Sequence, residues 1–207
     1  MGEAPSEVVL ADHDPVVRAL LAERDEVDTV AIAPSSPLGI EWLPRDEAQP
    51  LLDASHDGIL ELGDPFRLWA APALAAPAAG AGEIDGLLDR GALGACVPAA
   101  ALAGEAGRKR MASLLSRLQA RDAVLFVHPG PARSASDLEP SWWPALTAYG
   151  PRTVDAVLRV VGVDRLVYGS DRPVVEPPEL EPLGTSFSHA VREANPALLL
   201  SLDPVPV

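Results

Sequence analysis

The sequence predicts an α/β fold in which a parallel sheet is flanked by helices. Short apolar stretches alternate along the chain with longer segments of helical periodicity, a pattern typical of repeated strand and helix units. Five stretches have the length and apolar character of buried strands: residues 28–33, 66–71, 92–97, 123–128 and 165–169. With 207 residues, of which 48% are hydrophobic, the chain can bury one sizeable core. We therefore expect a single domain over residues 1–207.

Helical segments are predicted between and after these strands. Asp14 and Pro15 mark the first helix, because an aspartate accepts from the free N–H groups of a first turn and proline suits the first helical position. The Ala/Pro/Gly-rich segment 72–82 predicts a loop. Helical spacing predicts further helices over residues 44–63, 83–90, 105–121, 154–161 and 185–194.

The charge balance excludes several classes of partner. Sixteen basic against thirty acidic residues give a formal net charge of -14. Nucleic acids and anionic membranes carry the same sign of charge, so we expect neither as a partner. The short basic run 108–110 is predicted to lie on the solvated face of a helix. A small-molecule ligand remains the expected partner.

Location and source are indicated by composition. No apolar run approaches the ~20 residues that span a bilayer, and the N-terminus lacks the charged and apolar blocks of a secretory signal. We expect a soluble cytoplasmic protein. Arginine far outnumbers the single lysine, and alanine and proline are abundant, which indicates a GC-rich bacterial genome.

Two residues whose side chains could react or bind a ligand are expected to have structural roles. Cys96 is the single cysteine and lies within an apolar run, so we expect a small core residue that makes no internal disulfide. His56 falls within the predicted helix 44–63, where a surface or packing role is expected rather than a ligand role.

Asp171 is the best-placed acid in the sequence for chemistry. The apolar run 166–168 ends in Gly169 and Ser170, so the carboxylate of Asp171 follows at the carboxyl end of a strand. Parallel α/β folds bind ligands at that end of their strands. Aspartate after Gly-Ser also commonly caps a turn, and from the local sequence the two interpretations have equal weight.

His128 is the second candidate. It ends the predicted strand 123–128 and is followed by Pro129 and Gly130 in a loop. An imidazole at this position can serve as a ligand or exchange a proton. The structural alternative is a histidine that bonds to a neighbouring carbonyl group.

The ordered pair of strand-end motifs, His128-Pro129-Gly130 and Gly169-Ser170-Asp171, resembles the amidohydrolase-2 family, which includes aminocarboxymuconate-semialdehyde decarboxylase and aromatic-acid decarboxylases. The segments 35–40 and 149–152 are also similar to its bacterial members. The resemblance implies a TIM-barrel-derived fold with a divalent metal, commonly zinc. It matches His128 to the metal-ligating histidine of the fifth strand and Asp171 to the metal-ligating aspartate of the eighth.

The sequence departs from the family pattern in two ways. No His-x-His pair occurs, and the region between residues 142 and 151 has no clear pattern for the sixth and seventh strands. A complete barrel typically needs about 250 residues. We therefore predict an incomplete or open barrel that also lacks the first strand and is completed by homo-oligomerisation. The ligand set of His128 and Asp171 is incomplete, with His13 as a third ligand only in principle, so we predict no tightly bound catalytic metal.

Two functions follow from this resemblance. The first is a hydrolase or decarboxylase for a small carboxylated or cyclic substrate, with Asp171 and His128 as catalytic residues. Arg172 and Arg133 would then bind a carboxylate, and Trp142 and Trp143 would wall the pocket or simply cover the barrel end. The alternative is a degenerate, non-catalytic protein with a binding or scaffolding role. The sequence does not name a substrate.

Overall fold

The computed structural model describes residues 13–34, 38–128, 145–146, 154, 158–159, 162–170 and 180–200. The chain forms two compact units, Met1–Asp137 and Leu138–Val207. The expectation of a single domain stays a prediction.

The first unit is built on a parallel sheet of four strands. These are β1 (Val30–Ile32), β2 (Phe66–Ala70), β3 (Gly94–Pro98) and β4 (Val124–His128), hydrogen-bonded in that order. Every neighbouring pair is parallel. Each strand falls within one residue of a predicted stretch, and four strands are half the number of a closed (β/α)8 barrel. The predicted fold class, a partial TIM-barrel-derived α/β fold, is confirmed.

The strand register separates the side chains of the sheet into two faces. Partnered residues on neighbouring parallel strands point to the same face, and successive residues alternate. One face carries Leu68, Ala95 and Val97, each with 0% exposure. The helices α2 (Arg45–Leu62) and α3 (Pro77–Asp89) contact the strands β2 and β3. The opposite face carries the four side chains of Trp69, Cys96, Phe126 and His128, and we call it the site face.

The helices of this unit begin and end where local chemistry favours it. They are α1 (Pro15–Arg24), α2 (Arg45–Leu62), α3 (Pro77–Asp89) and α4 (Gly104–Ala120). As predicted, Asp14 caps α1, where its Oδ1 accepts from the backbone N–H groups of Val16 at 2.8 Å and Val17 at 3.2 Å. The basic residues 108–110 are exposed on α4, as expected.

One prediction for this unit was wrong. The segment 72–82 was expected to be a loop, but α3 already begins at Pro77 and runs through it. Proline at the first helical position needs no intrahelical N–H partner, and the alanines that follow favour a helix.

Ion pairs from Arg117 to Asp85 at 3.1 Å and from Arg121 to Asp89 at 2.6 Å connect α4 to α3.

The second unit contains two short parallel strands, β5 (Ala145–Leu146) and β6 (Val167–Tyr168). β6 confirms the predicted strand at 165–169, whereas β5 lies in the region where no strand was predicted. A buried cluster is formed by Val154, Leu166, Leu180, Phe187 and Val191. This cluster brings the final helical segment against β6.

The final helical segment is longer than predicted. It comprises α5 (Thr185–His189), a π-helical turn (Ala190–Ala194) and α6 (Asn195–Leu200), whereas the sequence predicted an end at residue 194. The wider π turn ends at Ala194, and after Asn195 the helix continues through Pro196, a residue without an N–H. Asn195 is buried, and its Nδ2 donates to the carbonyl oxygens of Val163 at 2.8 Å and Leu166 at 2.7 Å.

In the described part of the chain, no helix is long and apolar enough to cross a membrane. Of the predicted helix 154–161, only residues 154, 158 and 159 are described, and all three are helical.

Candidate functional site at the carboxyl edge of the sheet

His128 is the last residue of β4 and lies level with Pro98, the last residue of β3. Its ring is half-buried on the site face and meets the ring of Phe126 edge-on, with the centroids 6.3 Å apart. The Nδ1 atom is buried, and no hydrogen-bond partner lies within reach of it among the described residues. The structure thus confirms that this histidine ends a strand, and among the described residues its Nδ1 makes no bond to a carbonyl group.

Glu41 is a member of this site that sequence reasoning missed. It lies in a short 3-10 turn (Ile40–Trp42) and is only 4% exposed. Its backbone oxygen accepts from Leu74 at 2.7 Å, which fixes the turn beside the chain that leaves β2. Ile40 and Leu43, on either side, pack against Ala48, Leu52 and the residues that follow β2, so the acid is held inward.

The charge of His128 acts on Glu41, and the charge of Glu41 acts on Cys96. Burial raises the pKa of Glu41, while a hydrogen bond from its own backbone N–H and the charge of His128 act in the opposite direction. Its Oε2 atom is buried and meets no hydrogen-bonding group in the described ranges. The sequence signal was a single acid between the apolar residues Ile40 and Trp42 soon after a strand.

Cys96 is a buried member of the site face rather than a nucleophile. It is 4% exposed, and burial followed by the negative charge of Glu41 raises the pKa of its thiol to about 12. A thiol in that state supplies almost no thiolate near neutral pH. The prediction that it behaves as a small core residue is confirmed.

Two aromatic rings cover the middle of the site face. The ring centroids of Trp69 and Phe126 are 5.7 Å apart with the planes tilted by 34°. Gly94 makes room for this contact, because a Cβ atom there would lie 2.8 Å from Cζ3 of Trp69 and 2.1 Å from the carbonyl oxygen of Val124. The site face is therefore apolar from Trp69 and Phe126 up to His128 at the end of β4.

The other predicted site residues lie outside the described ones: Asp171, Arg172, Arg133, Trp142 and Trp143. Their roles stay predictions. His13 is described and is exposed. His56 is a packing residue, as expected, because it is 3% exposed and its Nε2 accepts from the backbone N–H of Ala71 at 3.1 Å.

The metal that the resemblance implies does not fit the described residues alone. Glu41 and His128 offer one buried oxygen and one buried nitrogen, both suitable donor types. A catalytic zinc site normally uses three protein ligands. Over the described ranges, no group of three His, Cys, Asp or Glu residues could hold a metal ion. No chemical step is therefore derived through a metal.

No protein-family model matches the chain, and no curated protein matches it.

Solved structures, by contrast, share its fold. Three are 2,6-dihydroxybenzoate decarboxylase from Rhizobium, 5-carboxyvanillate decarboxylase from Sphingomonas paucimobilis, and a Staphylococcus aureus protein described as an amidohydrolase. The first matches with a TM-score of 0.66 and 15% identity over 90% of this chain and 88% of its own. The second has a TM-score of 0.67 and 13% identity over 90% and 83%. The third has a TM-score of 0.71 and 16% identity over 93% and 92%.

At such identities the likeness concerns the fold and not the reaction. The fold agrees with the one implied by the motifs at His128 and Asp171. The chain therefore has the fold of amidohydrolases and of the decarboxylases related to them.

Proposed function

We propose that the chain is an amidohydrolase-fold enzyme, a hydrolase or a decarboxylase, that acts on a small carboxylated or cyclic substrate. The observation that carries the proposal is the position of His128, with its buried Nδ1, at the carboxyl end of a parallel strand. Ligand sites of such folds occupy that end of the strands. The apolar face of Trp69 and Phe126 suits a cyclic substrate.

The proposed chemistry is proton transfer. In hydrolysis the attacking water loses a proton and the leaving group gains one. In decarboxylation the carbon that loses CO2 keeps the bonding electrons and takes up a proton. His128 and Asp171 would exchange these protons, since imidazole and carboxylate groups are the common acids and bases of enzymes. Arg172 and Arg133 would bind a carboxylate, with Trp142 and Trp143 as walls of the pocket.

The test is turnover by the whole chain. Aromatic and cyclic carboxylic acids would be assayed for CO2 release, and cyclic amides and lactones for hydrolysis, with the wild type and the variants H128A and D171N. We expect turnover that each variant lowers by about 100-fold or more, the usual contribution of a general acid or base. Turnover that both variants retain in full would refute the assigned roles.

A binding role without catalysis is the second candidate. It is favoured by the donor set, because the described residues supply two suitable donors where a catalytic zinc site uses three. Saturable binding of these acids by the wild type, without turnover in the presence or absence of added zinc, would support it. Elemental analysis of chain purified without chelators would test the expectation of no tightly bound metal.

We also propose that the chain works as a homo-oligomer. β1 and β4 are the outer strands of the four-stranded sheet, and strand edges favour pairing with further strands. Light scattering at working concentration is expected to give a mass above the 21.7 kDa of one chain. A stable monomer would contradict the proposal.

A further inference from the structure

A crevice of about 250 Å³ lies between the helices α2 and α3. Two ion pairs connect the helices there. Arg45, the first residue of α2, pairs with Glu83 of α3, and Arg90, which directly follows α3, pairs with Asp57 of α2 at 2.7 Å. The two pairs are about three turns of α2 apart, and the α2 residues that line the crevice lie between them along the helix.

Gly86 of α3 leaves the space between the helices unfilled. It lines the crevice, and a Cβ atom built on it would meet no atom within 4 Å. A glycine inside a helix makes the helix less stable than an alanine does, and here no close contact requires it. A longer side chain at this position would occupy the crevice.

The inner wall of the crevice is apolar. It is formed by Ala71 and Pro72, which follow β2, and by Ile84 and Leu87 of α3, all of them buried. His56 adds no positive charge to this wall, because its Nε2 accepts a hydrogen bond from a backbone N–H, as only a neutral ring can. The wall therefore suits a short hydrocarbon group.

The polar groups of the crevice favour a cation. Glu83 and Arg90 each have a partner of opposite charge. The carboxylate of Asp53 instead accepts a hydrogen bond from the neutral side chain of Gln49, Nε2 to Oδ1, at 2.8 Å. Gln49 also lines the crevice, and its Oε1 is buried without a hydrogen-bond partner among the described residues. Both groups are acceptors, whereas an ammonium group offers three donors and a positive charge.

We propose that this crevice binds a small organic cation, a primary ammonium on a short hydrocarbon group. The ammonium lies at Asp53 and Gln49, and the hydrocarbon lies against Pro72 and Ile84. The volume equals that of about eight waters in the liquid, so a ligand of about seven non-hydrogen atoms fits. A metal ion is not the expected occupant, because over the described ranges no group of three His, Cys, Asp or Glu residues could hold one.

This inference is independent of the proposed function, since none of the crevice residues has a role in it. The test is NMR titration of the isotope-labelled full chain with cyclohexylammonium chloride, followed through the amide signals of α2 and α3. Cyclohexanol, which has the same ring and a neutral head group, is the matched ligand.

Two variants, each with a control, examine the two parts of the site. Gly86→Leu fills the crevice, and Gly82→Leu is its control, because Gly82 is an exposed glycine of the same helix with equally open space that does not line the crevice. Leucine favours a helix more than glycine does, so both are expected to fold. Asp53→Asn removes the charge and keeps an acceptor for Gln49. Its control is Glu61→Gln, an exposed position of α2 outside the crevice.

We expect saturable binding of cyclohexylammonium by the wild type and by both controls. Gly86→Leu should weaken it at least tenfold, because the side chain takes the place of the ring. Asp53→Asn should weaken it about fivefold at low salt, the upper range for an ion pair at an exposed carboxylate, and cyclohexanol should bind the wild type about fivefold more weakly. Unchanged affinity in Gly86→Leu, equal affinity for cyclohexanol, or no saturable shift in the wild type would overturn the proposal.

Discussion

The imidazole of His56 accepts a hydrogen bond from the backbone N–H of Ala71 at 3.1 Å, which joins the middle of α2 to the chain as it leaves β2. Burial lowers the pKa of His56, against the attraction of Asp53 and Asp57, with a further lowering by Arg90 and a small opposing effect of Glu83. The folded chain therefore requires the neutral ring.

The first prediction concerns acid stability. A lowered pKa in the folded state gives stability that is present above the unfolded value of 6.5 and is lost as the pH falls through the folded value. His56→Leu should destabilise the fold by about 1–3 kcal/mol at pH 8, since it leaves the Ala71 N–H unpaired. The difference from wild type should shrink toward pH 5. Urea unfolding from pH 5 to 8 measures it, with the exposed His13→Gln as control.

The second prediction concerns Glu41, whose pKa is shifted in the opposite direction to that of His56. Burial raises the pKa of Glu41, so its contribution to stability is fully present below the unfolded value of 4.5 and is lost as the pH rises through the folded value. Glu41→Gln does not ionise and should become more stable relative to wild type as the pH rises. Denaturant titrations between pH 4 and 8 check this, with Glu61→Gln as the matched control. A constant difference across that range would show that Glu41 is not buried as described.

The third prediction tests the close approach at Gly94. A Cβ atom there would lie 2.1 Å from the carbonyl oxygen of Val124, and the backbone cannot move aside as a side chain can. Gly94→Ala should cost about 1–3 kcal/mol of stability, the usual range for overpacking. Gly58→Ala in α2 has open space around its Cβ and should instead stabilise the fold by about 0.5–1 kcal/mol. Equal effects of the two substitutions on the melting temperature would contradict the described packing.

The fourth prediction concerns Cys96. Because burial and Glu41 raise the pKa of its thiol to about 12, iodoacetamide at pH 8 should leave the native chain unmodified for as long as it stays folded. In urea the thiol should react fully, and mass spectrometry reads both states. Rapid modification of the native chain would mean that the site face opens to solvent.

The sequence predicted those parts of the fold that depend on one local pattern. The stretch 123–128 is a continuous apolar run up to His128, the stretch 66–71 is apolar except for Arg67, and the structure has strands in both. The start of α3 was missed because proline and glycine between alanines resemble a loop, although Pro77 is a favourable first helical residue. The end of α6 was missed because Pro196 normally stops a helix, whereas here a π turn precedes it and the helix continues to Leu200.

The candidate site was predictable to the extent that it lies at a strand end. The apolar pattern of β4 and the Pro-Gly pair after it predict that His128 lies at the end of a strand. Glu41 could not be found this way, because its burial depends on Ile40 and Leu43 packing against α2 and on a hydrogen bond to Leu74. The contacts with Leu74 and with the residues after β2 join segments that are distant in sequence, and an exposed acid in a turn would have the same local pattern.

Asn195 limits which side chain the last helix can carry at that position. Its single amide nitrogen serves two carbonyl oxygens, those of Val163 and Leu166, at opposite ends of the short turn before β6. Aspartate has almost the same shape but, when ionised, only accepts hydrogen bonds, and it would set a negative charge against two oxygens. Replacing this one nitrogen by an oxygen, as in Asn195→Asp, would thus replace two attractive hydrogen bonds between the helix and the segment before β6 by electrostatic repulsion.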